Sequence, residues 1–354
     1  TFSILLFGGA ATLAQSSASR SESQSAQAYR NSQVYHAAAD CAADLRRLED
    51  VLRDAHPCLY CFTDSLTLHT AFAEAISELE AKPAVSVTEN KFLHTVRRLV
   101  AMVQDGHLYA ESNTSLVNYV AEQGKFFPLS LAIDNGKAYI REDYSATLDS
   151  AALGAQLLTI NGTPVATVIA EMMPLLSADA NLQKAKWRQL ENVFTFDILY
   201  WTLYEPTDTY HISYRDLDGS VRSQNVTAVA GSIINLANAD DNVTRHLTID
   251  ETTSTAYLDI NTFYNADSKR DNAIYERFLA QSFREIKQKG IKNLVIDLRD
   301  NPGGLVHNAY RLFSYISPTD VESKVMVKSS GFLKEQKKLS FVEIMLKNLS
   351  RKSY

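Results

Sequence analysis

Cysteine is scarce in this sequence: three among 354 residues, too few for the disulfide framework of a small secreted domain. Glycine (13) and proline (8) are also sparse, which excludes collagen-like and low-complexity chains. Positive charge is not in excess. Thirty-five Lys and Arg stand against 41 Asp and Glu, a net charge of −6, so there is no broad basic footprint and no nucleic acid is expected as a partner. Long apolar runs are missing too: the run at 4–13 is well short of the ~20 residues of a membrane-spanning helix, so no stable membrane span is expected. No HExxH pair occurs, so zinc metalloprotease chemistry is unsupported, and neither a metal nor another cofactor is expected. What is present is apolar bulk. Hydrophobic residues make up 45% of the chain, ample for buried cores, and the length predicts two or three domains at ~150 residues each.

The two ends read differently from the middle. The apolar run at 4–13, followed by Ala14, predicts a secretory signal over 1–14, with Thr12-Leu13-Ala14 as its cleavage site and its basic n-region missing. The Ser-, Ala- and Gln-rich stretch behind it predicts a flexible linker over 15–35. Together they predict an exported protein, periplasmic or extracellular. Residues 340–354 read as a helix that stops without a cap, so the sequence is expected to be a fragment.

Residues 36–118 predict a helical N-terminal domain. Cys41, Leu45, Leu48 and Leu52 make one stripe of 3.6-residue period, ended by Pro57; Leu68, Phe72, Ile76 and Leu79 make a second. Phe92, Val96, Leu99, Val100 and Val103 make a third, opened by Ser86 and Glu89 at capping-box spacing. Over 119–235 the period changes to two, and Asn135-Gly136 and Asp218-Gly219 separate alternating runs, which predicts a mainly β module with one helix at 168–176. The region 236–354 reads strand, helix, strand, helix. A strand at 257–260 precedes a helix marked by Ile274, Phe278, Phe283 and Ile286 and ended at Gly290; a strand of the buried kind at 294–298 precedes a helix at 306–316. That order predicts an α/β core.

Two stretches carry residues suited to chemistry. Asp297-Leu298-Arg299-Asp300-Asn301-Pro302-Gly303-Gly304 leaves a strand and ends on two glycines at a helix start. Gly303 and Gly304 tolerate positive φ, and their N–H groups suit a developing oxyanion in acyl transfer. The alternative is a tight strand-to-helix turn in which Asp297 and Arg299 pair for structure. In Asp105-Gly106-His107, the histidine on a glycine-containing turn is a candidate general base, against the blander reading of an ordinary surface or packed histidine. Cys58-Leu59-Tyr60-Cys61 has redox or zinc spacing but no second pair. Packed cysteines are the favoured reading there, and a disulfide among Cys41, Cys58 and Cys61 is the alternative.

LVIDLRDNPGG, preceded by YLDINTF and an intervening helix, stands in one chain with GAQLLTINGTPV at 154–165 and DGHLY at 105–109. This set resembles the tail-specific, or C-terminal-processing, serine peptidases, in their tricorn-like branch with a DGH motif. The resemblance implies an α/β and α+β multidomain protein: an N-terminal helical domain, a PDZ-like β module, and a partial ClpP/crotonase-like α/β catalytic core. It implies hydrolysis of an extended or unfolded polypeptide substrate by a serine nucleophile. By position, His107 matches the histidine of the DGH motif, Gly303 and Gly304 match the oxyanion-hole turn, and Asp297, Arg299 and Asn301 match residues that shape it. The departure is the nucleophile, which in the family lies beyond the glycine turn in a TFSA-like segment. Ser329-Ser330-Gly331 is the nearest candidate here and does not read that way. The nucleophile is therefore expected beyond Tyr354 and the fragment is expected to be inactive, with a lysine-dyad mechanism standing beside the histidine-based one. Two other readings are a non-catalytic peptide-binding protein on the same scaffold and a crotonase-type acyl-CoA enzyme. Export counts against the latter.

Overall fold

The computed structural model describes residues 2–3, 23–111, 116, 119–120, 124–237, 245–264, 270–299, 301 and 303–317. The apolar run at 4–13, Ser329, Ser330 and the 340–354 stretch lie outside the described residues. The chain divides into two compact units, one within Thr1–Ala237 and the other within Asn238–Val325. The helical stretch and the β module, separate ranges in the sequence reading, share the first unit.

In that unit the three apolar stripes become the helices Ala38–Ala55, Ser65–Glu80 and Glu89–Ala101. Leu45, Leu48, Leu52, Phe72, Val96 and Val100 meet in one cluster, each on the face its spacing predicts. Asp64 caps the second helix by accepting from the Thr67 N–H at 2.9 Å. The cap of the third is Thr88, which accepts from the Lys91 N–H at 3.2 Å, and not Ser86. Ser86–Thr88 is instead a short strand paired with Tyr35–Ala37, so the chain is still extended where the capping-box spacing places a helix start.

Residues 24–31, inside the stretch expected to be a flexible linker, form a helix. Tertiary contacts hold it: Tyr29 is buried edge-on against Tyr119, and the Ser25 hydroxyl donates to Asp208 Oδ1 at 2.6 Å. Phe2–Ser3 pairs in parallel with Leu108–Tyr109.

The β module is a six-stranded antiparallel sheet. Its order runs Val221–Thr227, Thr209–Arg215, Gln156–Ile160, Lys137–Asp143, Leu129–Asp134, with Thr163–Pro164 paired off Gln156–Ile160. Asn135 and Gly136 both take positive φ (48° and 74°), as a tight two-residue hairpin requires. The predicted helix falls at Val165–Met172. Two further helices, Gln183–Leu190 and Val193–Tyr204, have no counterpart in the sequence reading. Val193–Tyr204 carries apolar residues on all sides, so it lacks the stripe that betrays a surface helix. It is the backbone of the core: Phe196, Tyr200 and Trp201 pack with Phe126, Phe127 and Tyr210.

Asp197 sits on that helix, fully buried, and accepts the Phe127 N–H at 2.8 Å through Oδ1. Its Oδ2, Trp201 Nε1 and the Tyr210 hydroxyl are buried with no hydrogen-bond partner among the described residues. Burial pushes the Asp197 carboxyl well above the usual carboxylate range. A raised native pKa favours the protonated form, so this contribution to stability is lost as pH climbs from the unfolded value of ~3.9. Asp197→Asn keeps an acceptor for Phe127 and carries no charge. Above pH ~5 the variant is expected to melt at a higher temperature than the parent, with a gap that widens as pH rises. Thermal melts from pH 4 to 8 measure it, and a gap independent of pH refutes the burial argument.

The second unit holds a three-stranded sheet in the order Arg245–Asp250, Thr255–Ile260, Asn293–Asp297. The first pair is antiparallel, and the second is parallel, with helix Arg270–Gln288 between its strands. This is the predicted α/β order. Leu258, Ile260, Tyr275, Leu279 and Leu312 form its core. Two details differ from the sequence reading. Ile274 is exposed, and the inward stripe of the helix runs instead through Tyr275 and Leu279. Asn293–Asp297 is half-covered: Leu294 and Ile296 face the core, whereas Val295 is 45% exposed. An all-apolar run cannot report which of its alternating faces is covered.

Candidate active site

The glycine turn is built from the end of Asn293–Asp297 to the start of helix Val306–Ile316. Asp297 and Arg299 pair through a fork, with Arg299 Nε at 2.9 and 3.0 Å from the two carboxylate oxygens. Asn301 bridges two chain segments. Its Nδ2 donates to the Ile260 carbonyl at 3.0 Å, and its Oδ1 accepts the Gly303 N–H at 2.8 Å. The Gly303 carbonyl accepts from the Phe263 N–H at 2.8 Å, and the Leu305 N–H donates to the Phe263 carbonyl at 3.0 Å. Asn308 Nδ2 donates to that same carbonyl at 2.9 Å.

These bonds separate the two glycines. Gly303 (φ 109°) has its N–H engaged by Asn301, and a Cβ there would meet nothing within 4 Å. Gly304 (φ 133°) bridges Phe263, and a Cβ there would overlap the Tyr264 nitrogen and the Phe263 carbonyl carbon and lie 2.7 Å from the Tyr264 Cα. Among the described residues the Gly304 N–H has no hydrogen-bond partner. Gly304 is thus the position where only glycine fits, and of the two glycines it is the one whose N–H is uncommitted among the described residues.

His107 lies in the first unit, on the turn after helix Glu89–Ala101. Four bonds hold this turn. Gly106 N–H donates to Asp179 Oδ1 at 2.7 Å, the Ala180 N–H donates to the Gln104 carbonyl at 3.1 Å, Leu108 N–H donates to the Asp105 carbonyl at 3.1 Å, and His107 N–H donates to Asp105 Oδ1 at 2.8 Å. The imidazole itself is 78% exposed, with Nδ1 3.6 Å from Asp105 Oδ1. That is beyond hydrogen-bond length. Asp105 Oδ2 meets Nε2 of the buried His56 at 3.0 Å. No sequence motif marks His56 or Asp179; the one local signal is Pro57, which disfavours a helical His56.

Asp105, His107 and Asp179 place one ligand-type atom each within 4.8 Å of one another. Both carboxylates already accept the backbone N–H groups that fix the turn, which accounts for the cluster as turn architecture. Cys58 and Cys61 form a disulfide with a Cα–Cα separation of 5.4 Å, and Cys41 is free and buried. The packed-cysteine expectation therefore fits Cys41 alone, because the turn after Pro57 brings the other two within bonding range.

Residues 254–340 match the profile of Peptidase family S41. The glycine turn lies inside that match and His107 outside it. Among solved structures, mature CPAF is similar at 15% identity and a TM-score of 0.50, over 78% of this chain and 58% of that one. The chain shares the CPAF fold. A point mutant of CPAF gives a TM-score of 0.53, and mature CPAF complexed with lactacystin gives 0.50, both at 15% identity over 78% of this chain and 59% of the other. This chain thus spans less than two thirds of those structures. No curated protein matches it in sequence. Among the described residues, no helix is long and apolar enough to cross a membrane.

Proposed function

We propose that this protein is an exported serine-type endopeptidase that hydrolyses extended or unfolded polypeptides, similar to the tail-specific peptidases. The observation that carries the reading is Gly304: an uncommitted N–H on a backbone conformation that only glycine adopts, within the stretch matched to the peptidase profile. Such a donor stabilises a tetrahedral oxyanion, a contribution of ~3–4 kcal/mol in acyl-transfer enzymes. Asn301 sets the direction of the turn, and the Asp297–Arg299 fork braces its strand end. His107 is the general base. With Nδ1 on the Asp105 side, Nε2 is the nitrogen that takes the serine proton and returns it to the leaving amine.

The β module supports the same reading as a PDZ-like peptide receptor. Its two edge strands are Leu129–Asp134, where Glu191 accepts the Ile133 N–H at 2.8 Å, and Val221–Thr227, where Thr147 accepts the Thr227 N–H at 3.4 Å, and an edge strand is where a peptide adds to a sheet. Export is supported by the apolar run at 4–13 and by the Cys58–Cys61 disulfide, a bond of oxidising compartments.

Fluorophosphonate labelling of the 354-residue chain tests where the nucleophile lies. In the second unit, Ser282 is buried and the Ser314 hydroxyl donates to the Arg311 carbonyl, so neither is presented as a nucleophile. The expected outcome is no stoichiometric label and no hydrolysis of casein above background. Label on Ser329 or Ser330 places the nucleophile within this sequence instead. If any longer protein that contains this sequence also fails to label, the non-catalytic peptide-binding reading replaces the enzyme.

A further inference from the structure

We infer that His56 is a positioning residue: it clamps Asp105 so that Asp105 holds the Nδ1 side of His107 and leaves Nε2 facing outward. The inference rests on His107 being the general base. Pro57 starts the chain of causes. It bars its predecessor from the helical region, so helix Ala38–Ala55 stops and His56 turns extended, with ψ at 125°. That turn sends the imidazole inward, where it is 6% exposed.

Both ring nitrogens of His56 are spoken for, and they define its tautomer. Nδ1 accepts the Cys58 N–H at 3.2 Å. A neutral imidazole that accepts at Nδ1 carries its proton at Nε2, and Nε2 faces Asp105 Oδ2 at 3.0 Å. His56 is therefore a donor to the carboxylate. The Cys58–Cys61 disulfide closes the turn that presents the Cys58 N–H, so the clamp is braced from behind.

The other oxygen of Asp105 looks toward His107. Oδ1 accepts the His107 backbone N–H at 2.8 Å and lies 3.6 Å from Nδ1. With one oxygen tied to His56 and the other to the turn, the carboxylate cannot swing away from the ring. This matters because His107 is 78% exposed, so packing does not set the orientation of its ring. A carboxylate beside Nδ1 selects the tautomer whose Nε2 lone pair is free, and a base in the wrong tautomer is a poor one. A merely space-filling histidine at 56 needs no hydrogen bond to Asp105, and an apolar residue of similar volume would serve.

The test reads tautomers by long-range 1H–15N spectra of the 15N-labelled 354-residue chain, on the neutral rings. In the unsubstituted chain His56 is expected with its proton at Nε2 and His107 mainly with its proton at Nδ1. His56→Leu removes the donor, and His107 is expected to revert to the Nε2–H form that free imidazole favours. His56→Gln restores an N–H at about the same reach, and His107 is expected to keep the parental tautomer. In a hydrolytically active protein, His56→Leu is expected to lower kcat by up to ~10²-fold with KM unchanged, and His56→Gln to recover most of it. An unchanged His107 tautomer in folded His56→Leu overturns the inference. So does a His56 proton found at Nδ1 in the unsubstituted chain, or a folded His56→Gln in which His107 has reverted. If His56→Leu does not fold, the last two readings decide alone. The spectra need no hydrolysis, so the positioning role and the peptidase reading can fail separately.

Discussion

His107→Ala is expected to lower kcat by ~10²–10⁴-fold in the hydrolytically active protein while its melting temperature stays close to the parent. The two halves of this expectation have separate causes. Loss of rate follows from the proposed role of His107 as the group that takes the serine proton. Stability survives because the ring is 78% exposed and contributes little packing, whereas the bonds that hold the turn come from backbone N–H groups that alanine retains. Steady-state hydrolysis beside thermal melting reads both. An unchanged kcat in a folded variant would transfer the base to a lysine, the dyad mechanism that the family resemblance also allows. A large fall in melting temperature would mean instead that His107 is structural.

Gly304→Val is expected to lower both kcat and stability, and Gly303→Val is its internal control. At Gly304 the new Cβ would overlap backbone atoms of Phe263 and Tyr264, which cannot yield by rotating a side chain. The turn must open, which moves the Gly304 N–H proposed to meet an oxyanion. A rate loss of ~10²–10³-fold is the expected scale for a lost oxyanion donor. At Gly303 the Cβ would meet nothing within 4 Å, so the cost is the φ of 109° alone, about 1–3 kcal/mol of backbone strain. The Gly303 N–H stays on Asn301, so activity per folded molecule is expected to be largely preserved. Melting curves and kcat for the pair separate a donor from a turn. If Gly304→Val folds normally and cleaves at the parental rate, the oxyanion assignment is wrong.

The fold was legible where its cause is local. Stripes such as Leu45-Leu48-Leu52 form one face of a helix by spacing alone, and they are buried as that spacing requires. Asn135-Gly136 makes a hairpin because two adjacent residues must take positive φ, a property of those residues and not of their surroundings. The strand–helix–strand–helix order of the second unit followed from the same local periods. Local signals failed where burial is complete or comes from afar. Val193–Tyr204 has no polar face to mark it, and Gln24–Asn31 is polar enough to pass for linker until Tyr119 and Asp208 hold it.

The candidate site divides along the same line. Residue type alone was enough to single out His107, Gly303 and Gly304, because a glycine pair at a helix start and a histidine on a glycine turn are chemically suggestive wherever they fold. What each is bonded to was decided only in three dimensions. Asn301 takes the Gly303 N–H because its side chain is itself held by the Ile260 carbonyl on the neighbouring strand, and Gly304 must be glycine because the Phe263–Tyr264 backbone crosses it. His56 reaches Asp105 across 49 residues of chain. No pattern of near neighbours encodes such meetings. They arise when separately folded segments pack, and packing decides which partner each hydrogen-bonding group finds.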